Sequence, residues 1–376
     1  MKVRLGDICD IRDGTHDSPK YVTKGYPLVT SKNIINGTLD LKVVNFISEK
    51  DYNKINERSK VDLGDIIMPM IGTIGNPYLV NQTPNYAIKN VALIKFVNDK
   101  ILNKYVLYYL KSNSFKRAVD EMHRGGTQKF ISLGNIRDLM IEIVSKDKQQ
   151  IIVNKLNKIF KVIEYKNRQL MLLDNLIKSR FVELFVDKNF PEITIGELVA
   201  SKVSSVKKVF LPTDTIKYID ISSIDNIRNI MTGFTEYVLE DAPSRAQQHI
   251  RKGDIVVSTV RPNLKNVAIT GYDYDNLVAS SGFCVLRAEK CLPSYLMAVI
   301  CSDDFTDAMT KVVTGANYPA IKDSDVKNYV VPNPPIELQE KFAAFVEQTD
   351  KLKLSIQKSL DKTQKLFDSL MQEYFG

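Results

Sequence analysis

The sequence predicts an α+β protein in which two tandem mixed α/β domains are separated by two long helices that form an antiparallel coiled coil. Three observations support this fold class. A heptad pattern of apolar residues runs from about 148 to 186, a second runs from 337 to 375, and the chain repeats itself with an offset of about 190 residues. The predicted plan is therefore a globular part followed by a long helix, written twice, with a pseudo-twofold internal repeat.

The first heptad pattern predicts a helix that buries a narrow stripe, here called its seam, against one partner helix. The seam consists of Leu156, Ile163, Leu170, Ile177 and Leu184 at one heptad position and Ile152, Ile159, Lys166, Leu173 and Arg180 at the other. The spacing alternates between four and three residues, and neither glycine nor proline interrupts it. At 1.5 Å per residue the helix should be roughly 50–60 Å long.

The second heptad pattern predicts the partner helix. Its seam is predicted to contain Leu338, Phe342, Phe345, Thr349, Leu352, Ile356, Leu360, Thr363, Phe367, Leu370 and Tyr374, with a stutter in the step from Ile356 to Leu360 to Thr363. Two such helices in one chain most simply pack on each other. The alternatives are that each docks on its own globular neighbour, or that one pairs with a second copy of the chain.

Matching short motifs recur at a nearly constant offset along the whole chain. The Leu-Gly-Asp stretch at 5–7 is followed 190 residues later by Ile-Gly-Glu at 195–197, and the Gly-Asp-Ile turn at 64–66 returns 189 residues later at 253–255. Gln149 and Gln339 are 190 residues apart. A tandem duplication explains this regularity. We predict four segments: domain 1 at 1–145, a central helix at 146–187, domain 2 at 188–334 and a C-terminal helix at 335–376.

Each globular part reads as a mixture of strands and helices. The short apolar runs Ile66–Met68 and Ala92–Ile94 predict strands, because turn residues bound them. The stretch from Leu102 to Val119 predicts a helix with aromatic apolar faces. Domain 2 repeats this framework with different polar loops.

Composition narrows the class of protein. The formal net charge of +8 and the pI near 9.0 permit a polyanionic partner without proving one. The sequence has neither a signal peptide nor the roughly 18 uncharged apolar residues that a membrane span needs, so we predict a cytoplasmic protein with no membrane partner. Cys9, Cys284, Cys291 and Cys301 form no CxxC pair, which predicts reduced thiols and no metal site.

The polar, glycine-containing loops supply the candidate binding residues. Their side chains are of the types that contact phosphates and base edges, although solvated turns would have a similar composition. In domain 1 the candidates are Thr15, His16, Lys20, Ser31, Lys32, Arg124, Thr127, Gln128 and Lys129. In domain 2 they are Ser222, Arg261, Asn263, Lys265, Asn317 and Tyr318. Different loops on one framework suggest two surfaces that read two different targets.

No stretch of the sequence assembles a catalytic site. Asn333-Pro334-Pro335-Ile336 is similar to an amino-methyltransferase motif, but it ends in Ile where the motif has an aromatic residue. The two prolines are better explained as the end of a strand and the start of a helix. The three histidines, His16, His123 and His249, show no pattern with a nucleophile. We therefore predict a protein that is not an enzyme.

The plan as a whole resembles the specificity subunit of type I restriction-modification enzymes, and the resemblance covers the entire chain. The residues that carry it are the paired openings at 5–7 and 195–197, the Gly-Asp-Ile turns, and the Gly-Thr-Gln stretch at 126–128. The glutamine-led helix starts add to it: the second, at 334–339, follows the Pro-Pro pattern usual in the family, whereas the first, at 144–149, departs from it.

The resemblance implies that each globular part is a target recognition domain that reads one half of a bipartite DNA site. It implies that the helix pair fixes the spacer and that two modification subunits bind, joined in some assemblies by two restriction subunits. It also implies that this chain has no cofactor, because S-adenosylmethionine, and ATP with Mg for restriction, are bound by the partner subunits. Two major-groove half-sites on one face of a duplex lie about 34–36 Å apart or a multiple of that, which calls for a stiff spacer.

A second class of function is a protein–protein scaffold, in which two binding domains are carried on a coiled coil without contacting DNA. The net charge and the Arg, Asn, Gln and Thr content of the loops argue against it. Binding of a two-part DNA sequence with a fixed gap would discriminate the two classes.

Overall fold

A computed structural model describes residues 1–72, 74–97, 99–122, 130–186, 188–314 and 319–376. The chain divides into two compact units. The first unit consists of Met1–Asn167 together with Lys358–Gly376, and the second consists of Arg168–Gln357. Each unit therefore contains one globular part and a portion of both long helices, and each is described here by itself.

The globular part of the first unit is a mixed α/β fold. Its strands are β1 (Lys2–Arg4), β2 (Asp10–Asp13), β3 (Tyr21–Val22), β4 (Tyr26–Val29), β5 (Ile34–Ile35), β6 (Thr38–Leu39), β7 (Asn45–Ile47), β8 (Ile66–Pro69), β9 (Tyr78–Leu79), β10 (Ala87–Ile88), β11 (Val91–Lys95) and β12 (Met140–Glu142). Its helices are α1 (Glu49–Ser59), α2 (Asn103–Lys111), α3 (Asn113–Met122) and α4 (Leu133–Asp138), followed by the long helix α5 (Lys146–Phe185).

Two four-stranded sheets form the centre of this part. One has the order β2-β11-β8-β9 and is antiparallel, and the other has the order β10-β4-β7-β3 with β10 and β4 parallel. The two predicted strands fall in β8 and β11, where the side chains are buried on both faces. β1 pairs with β12 next to the start of α5.

The helix predicted from Leu102 to Val119 is divided in two, which corrects that prediction. α2 ends at Lys111 and α3 begins at Asn113. Ser112 lies between them in an extended conformation, and its Oγ accepts a hydrogen bond from the backbone N–H of Phe115 at 3.2 Å. A serine that satisfies the first free N–H groups of a helix favours a new start over continuation of the old one.

The globular part of the second unit repeats this fold. Its strands are β13 (Glu192–Thr194), β14 (Thr215–Ile219), β15 (Ile224–Asp225), β16 (Ile230–Met231), β17 (Thr235–Val238), β18 (Ala246–His249), β19 (Ile255–Ser258), β20 (Val267–Ile269), β21 (Leu277–Ser280), β22 (Phe283–Leu286) and β23 (Val330–Pro332). Its helices are α6 (Ile195–Leu198), α7 (Pro293–Ile300), α8 (Asp303–Lys311) and α9 (Asp323–Lys327), followed by the long helix α10 (Ile336–Phe375).

The sheets of the second unit keep the plan of the first. One sheet has the order β17-β14-β21-β18, in which β14 and β21 are parallel as β4 and β10 are, and the other has the order β20-β19-β22. β13 pairs with β23 as β1 pairs with β12. A clear difference is that α1 has no helical counterpart here, since β18 and a short 3-10 helix at Leu239–Asp241 occupy the corresponding stretch of chain.

The internal repeat is confirmed by matching side-chain contacts. The hydroxyl of Tyr105 donates to the backbone oxygen of Glu142 in the first unit, and that of Tyr295 donates to the backbone oxygen of Pro332 in the second. Gln149 and Gln339 are both buried. Gln149 accepts a hydrogen bond from the N–H of Leu102, just before α2, at 2.9 Å, and Gln339 accepts one from the N–H of Leu292, just before α7, at 2.8 Å.

The antiparallel pairing of the two long helices is confirmed inside each unit. Helices α5 and α10 each contain 40 residues. In the first unit Phe160, near the start of α5, packs on Phe367, near the end of α10, with ring centroids 6.2 Å apart. In the second unit Phe181, near the end of α5, packs on Phe342, near the start of α10, at 5.8 Å. Every predicted seam residue of α5 is buried or half-buried.

One predicted seam residue of α10 is on the wrong face. Leu352 is 57% exposed, and Lys353 occupies the half-buried position instead, with its ammonium 2.7 Å from the carboxylate of Asp174. The stutter therefore comes earlier than predicted, between Phe345 and Lys353. Thr349 is buried in this stretch and its hydroxyl donates to the backbone oxygen of Phe345 at 2.8 Å, which allows a polar residue to lie in the seam.

Within the ranges that the structure describes, no helix combines the length and the apolar character that crossing a membrane requires. The four cysteines are free thiols, and burial raises the pKa of Cys9 and of Cys284 to about 12.

Candidate nucleic-acid interface

The loop that follows β2 carries Thr15 and His16 at the edge of the first unit. The backbone N–H of Thr15 donates to Ile88 at 3.0 Å, so the loop lies beside the turn between β10 and β11. Gly14 permits this close approach, because a Cβ at that position would lie 2.5 Å from the backbone oxygen of Ile88. Gly14 and this hydrogen bond therefore determine where the side chains of Thr15 and His16 lie.

His16 is held by hydrogen bonds at both ring nitrogens. Nδ1 lies 2.9 Å from Oδ1 of Asn90, and Nε2 lies 2.7 Å from Oδ2 of Asp13. The other oxygen of Asp13 accepts from Arg58 at 2.5 Å, which leaves the Asp13 side chain only 7% exposed. The hydrogen bond with Asp13 and then that with Asn90 raise the pKa of His16, while its own burial opposes the rise. These two hydrogen bonds hold the exposed ring of His16 in a fixed position at this edge.

Ser31 and Lys32 lie on the opposite side of the same turn. They belong to a 3-10 helix at Ser31–Asn33 that is closed by Asn33, whose Oδ1 accepts from the backbone N–H of Thr30 at 3.0 Å. The backbone N–H of Lys89 donates to Val29 at 2.8 Å, which joins this segment to the turn. The structure therefore brings Thr15, His16, Ser31 and Lys32 to one edge of the first unit.

Two residues of that edge were missed by the sequence analysis. Lys89 and Asn90 form the turn between β10 and β11, and the Lys89 ammonium lies 2.7 Å from the Ser18 hydroxyl. Asn90 has a positive φ of 54°, a conformation that asparagine tolerates better than most residues. The sequence signal that could have identified them was a Lys-Asn pair between two fully apolar runs. Lys20 is exposed, and its role stays a prediction.

Six of the predicted contact residues lie outside the described residues: Arg124, Thr127, Gln128, Lys129, Asn317 and Tyr318. The chain that follows each of these stretches returns to a strand end. Ile131 donates its N–H to Met70 at 2.9 Å, just after β8, and Arg261 donates its N–H to Pro319 at 2.8 Å, just after β19.

In the second unit, Ser222 occupies a 3-10 helix that corresponds to the one at Ser31–Asn33. Its backbone N–H and its hydroxyl both bond Oδ1 of Asp220, at 2.9 and 2.6 Å. This helix contacts the turn between β21 and β22, since Cδ1 of Ile221 lies 3.7 Å from the position that a Cβ on Gly282 would take. The two short helices are thus equivalent elements with different exposed side chains.

The loop that carries Arg261, Asn263 and Lys265 follows β19. Arg261 and Lys265 both have a φ of 51°, on either side of a 3-10 helix at Pro262–Leu264. Such residues are strained unless the surroundings hold them. Here Asn226 and Asn229, which the sequence analysis missed, donate to the backbone oxygens of Leu264 and Lys265 at 2.9 and 3.2 Å.

The Lys265 side chain is not free for a ligand without a rearrangement. Its ammonium lies 2.5 Å from Oδ1 of Asp303, and this hydrogen bond lowers the pKa of Asp303. Arg261 and Asn263 are exposed. A phosphate contact by Lys265 stays a prediction, because the lysine would have to exchange the carboxylate of Asp303 for the phosphate.

These loops define a class of protein: two copies of one fold, each joined to a long helix and each presenting a polar edge with its own side chains. Comparison with known sequences agrees with this class. The family described as Type I restriction modification DNA specificity domain matches residues 1–173 and again residues 188–365. The chain belongs to this family, and its membership confirms the predicted class, a specificity subunit without catalytic chemistry of its own.

The individual relatives have low sequence identity to this chain, but the similarity extends over most of each sequence. The chain is 22% identical over 323 residues to the EcoDI specificity subunit of Escherichia coli, covering 74% of this chain and 71% of that one. It is 23% identical over 332 residues to the MjaVIII specificity subunit of Methanocaldococcus jannaschii, covering 81% and 77%. Among solved structures, the S subunit from M. genitalium has a similar fold, with a TM-score of 0.56 at 17% identity over 100% of this chain and 96% of that one.

Proposed function

We propose that this chain reads a bipartite DNA site, with each globular part recognising one half. The observation that carries the proposal is that the two units share one framework but differ at their edges. The short helix at Ser31–Asn33 and the one at Ile221–Ser223 sit in equivalent places, yet one presents Lys32 and the other Ser222. Two identical edges would suit a palindrome, whereas two different edges suit two unrelated half-sites.

The long helices are proposed to set the spacer between the half-sites. Each has 40 residues without a break, which corresponds to about 60 Å at 1.5 Å per residue. The start of each long helix is also fixed to its globular part. Buried Gln149 bonds the backbone just before α2 and the backbone just before α5. Buried Gln339 bonds the backbone just before α7 and the backbone just before α10 in the same way. A stiff element that is rigidly attached can hold a distance, which a flexible linker cannot.

Exposed apolar side chains on the long helices are proposed to recruit two modification subunits. In the second unit Met171, Leu172 and Leu176 are 62%, 55% and 47% exposed. In the first unit Ile151 and Tyr165 are 66% and 67% exposed. Large apolar side chains in water on two helix portions suit two protein partners. S-adenosylmethionine would be bound by those partners, and ATP with Mg by up to two restriction subunits, with no cofactor in this chain.

Selection from a pool of randomised duplex DNA tests the proposal. The chain, purified together with its modification subunit, is incubated with the pool, and the bound or methylated duplexes are sequenced. We expect a motif of two short blocks separated by a gap of constant length. A single contiguous motif would contradict the bipartite site, and recovery of no motif at any salt concentration would favour the protein–protein scaffold.

A further inference from the structure

A polar groove in the second unit lies beside the proposed DNA-contacting loops and was not foreseen from the sequence. It is an open depression of about 320 Å³, lined by six polar residues, Ser204, Ser205, Gln247, Gln248, Ser281 and Asp323, and by the apolar residues Val203 and Phe283. Thr259 connects it to the loop after β19: its N–H donates to Gly282 at 3.0 Å, next to Ser281, and its carbonyl accepts from Ile321 at 2.9 Å, near Asp323.

The two glutamines of this groove have a defined orientation. Nε2 of Gln248 donates to the backbone oxygens of Ser280 and Phe283, at 2.9 and 2.7 Å, and Nε2 of Gln247 donates to that of Ser244 at 2.8 Å. Because a carbonyl oxygen can only accept, these bonds identify which end of each amide carries nitrogen. The oxygens of both amides therefore remain for a ligand, together with the second N–H of Gln247, because Gln248 uses both of its N–H groups and Gln247 only one.

The remaining groups also favour a ligand that donates hydrogen bonds. Asp323 supplies a carboxylate, and the serine hydroxyls can accept as well as donate. Asp323 is exposed; desolvation raises its pKa, while the charge of Lys327 and a hydrogen bond with the Cys284 thiol oppose the rise. A β-bulge between Ala246 and Gln248 places the extra residue Gln247 at this groove, and bulges often redirect a side chain at a binding site.

Exposed basic residues lie close in sequence to the residues that line the groove. Five of them form no ion pair within the described residues: Lys202, Lys207, Lys208, Arg245 and Lys322. Hydrogen-bond acceptors with basic residues near them in the chain suit a nucleic acid, whose phosphates are anionic and whose bases carry amino groups.

We propose that this groove reads a base in the second half-site through its exocyclic amino group, the N6 of adenine or the N4 of cytosine, with Asp323 and the oxygens of Gln247 and Gln248 as acceptors. The inference rests on the proposed function. Both amino groups point a donor into the major groove, where thymine offers only acceptors and a methyl group and guanine only acceptors. The groove should therefore exclude thymine and guanine at that position.

The test compares half-site preferences of the wild type, Asp323→Ala and a matched control, Asp273→Ala, each assembled with the modification subunit. Alanine removes the acceptor altogether, whereas asparagine would keep an acceptor oxygen. Asp273 also lies in the second unit, but its carboxylate pairs with Lys252 at the surface. We expect Asp323→Ala to reduce the preference at one position of the second half-site by roughly 5- to 100-fold, and to leave the first half-site unchanged. Asp273→Ala should bind like the wild type.

A second measurement keeps the proteins unchanged and alters the DNA, so that it does not depend on the folding of a variant. Replacing adenine at the identified position by purine, or cytosine by N4-methylcytosine, removes or blocks the amino donor. We expect loss of binding with one of these two, which identifies the base. Unaltered preferences in Asp323→Ala and in both modified duplexes would overturn the groove assignment while leaving the bipartite site intact. A wild type that selects no motif would instead contradict the proposed function itself.

Discussion

At the scale of single residues, two buried glutamines connect each globular part to the start of a long helix. Gln149 accepts from the N–H of Leu102 and donates to the backbone oxygens of Lys100 and Val144, at 2.9, 3.0 and 2.9 Å. It is completely buried, as is Gln339 apart from 1% of its surface. Each residue thereby closes a loop onto the first turn of a long helix, which explains why glutamine recurs at this point of the repeat.

Gln149→Leu should therefore lower the free energy of unfolding by about 3 kcal/mol, because it leaves one buried N–H and two carbonyls without their partner. Gln150→Leu is the control: Gln150 is exposed and bonds only Asn154 on the next turn of α5, so its replacement should change the value by less than about 0.5 kcal/mol. Urea denaturation of the two variants measures the difference. Equal stability losses would contradict the assigned role of Gln149.

His16 provides a residue-scale prediction about pH. Its pKa is raised above the ordinary value of 6.5, chiefly by the hydrogen bond with Asp13, so its stabilising contribution is complete below pH 6.5 and is lost as pH rises through the folded-state pKa. NMR titration of the His16 ring should give a value above 6.5 in the wild type and a lower one in Asp13→Asn. An unchanged pKa in that variant would show that Asp13 is not the cause.

At the scale of secondary-structure elements, the seam of α10 distinguishes two nearby leucines. Leu360 is 8% exposed, whereas Leu352, predicted to share the seam, is 57% exposed. Leu360→Ala should lower the free energy of unfolding by about 2–5 kcal/mol, and the matched change Leu352→Ala by less than about 0.5 kcal/mol. Thermal or chemical denaturation of both variants decides it. A similar loss in both would restore the original heptad assignment.

The elements that sequence could predict are those specified by periodicity. The seam of α5, the apolar strands at 66–68 and 92–94 and the duplicated plan are all visible in the order of residue types. The division of α2 from α3 at Ser112 and the position of the stutter depend on single polar side chains that form hydrogen bonds with the nearby backbone. Leu352 is exposed, whereas Lys353 is half-buried and pairs with Asp174 on α5, a contact that the sequence of α10 alone does not reveal.

The candidate site was less predictable for the same reason. The loops around His16 and Arg261 could be identified by composition, but their hydrogen-bond partners come from distant segments: Asn90 for His16, and Asn226 and Asp303 for the loop at 261–265. The groove near Asp323 is assembled from four separate stretches of chain. Such sites depend on tertiary contacts, which a single sequence does not display.

At the scale of the whole molecule, the proposed spacer can be lengthened without disturbing the seam. Insertion of one heptad after Asn167 in α5 and one after Gln357 in α10 falls at the boundary between the compact units and keeps both apolar stripes in phase. Seven residues add about 10.5 Å of helix, or about three base-pair steps. We expect a spacer longer by a few base pairs, or loss of specific binding with non-specific binding retained. Methylation mapping is the measurement, and methylation of the original site at the original rate would contradict the proposal.

The most direct measurement of the central claim, that each globular part reads its own half-site, is an exchange of one part. Residues 188–334 are replaced by the corresponding segment of a relative with a known site, and the hybrid is assembled with the modification subunit. Sequencing of the methylated duplexes should show a new second half-site, with the first half-site and the gap unchanged. A hybrid that remains folded but alters both halves, or neither, would contradict the claim that the two units recognise DNA independently.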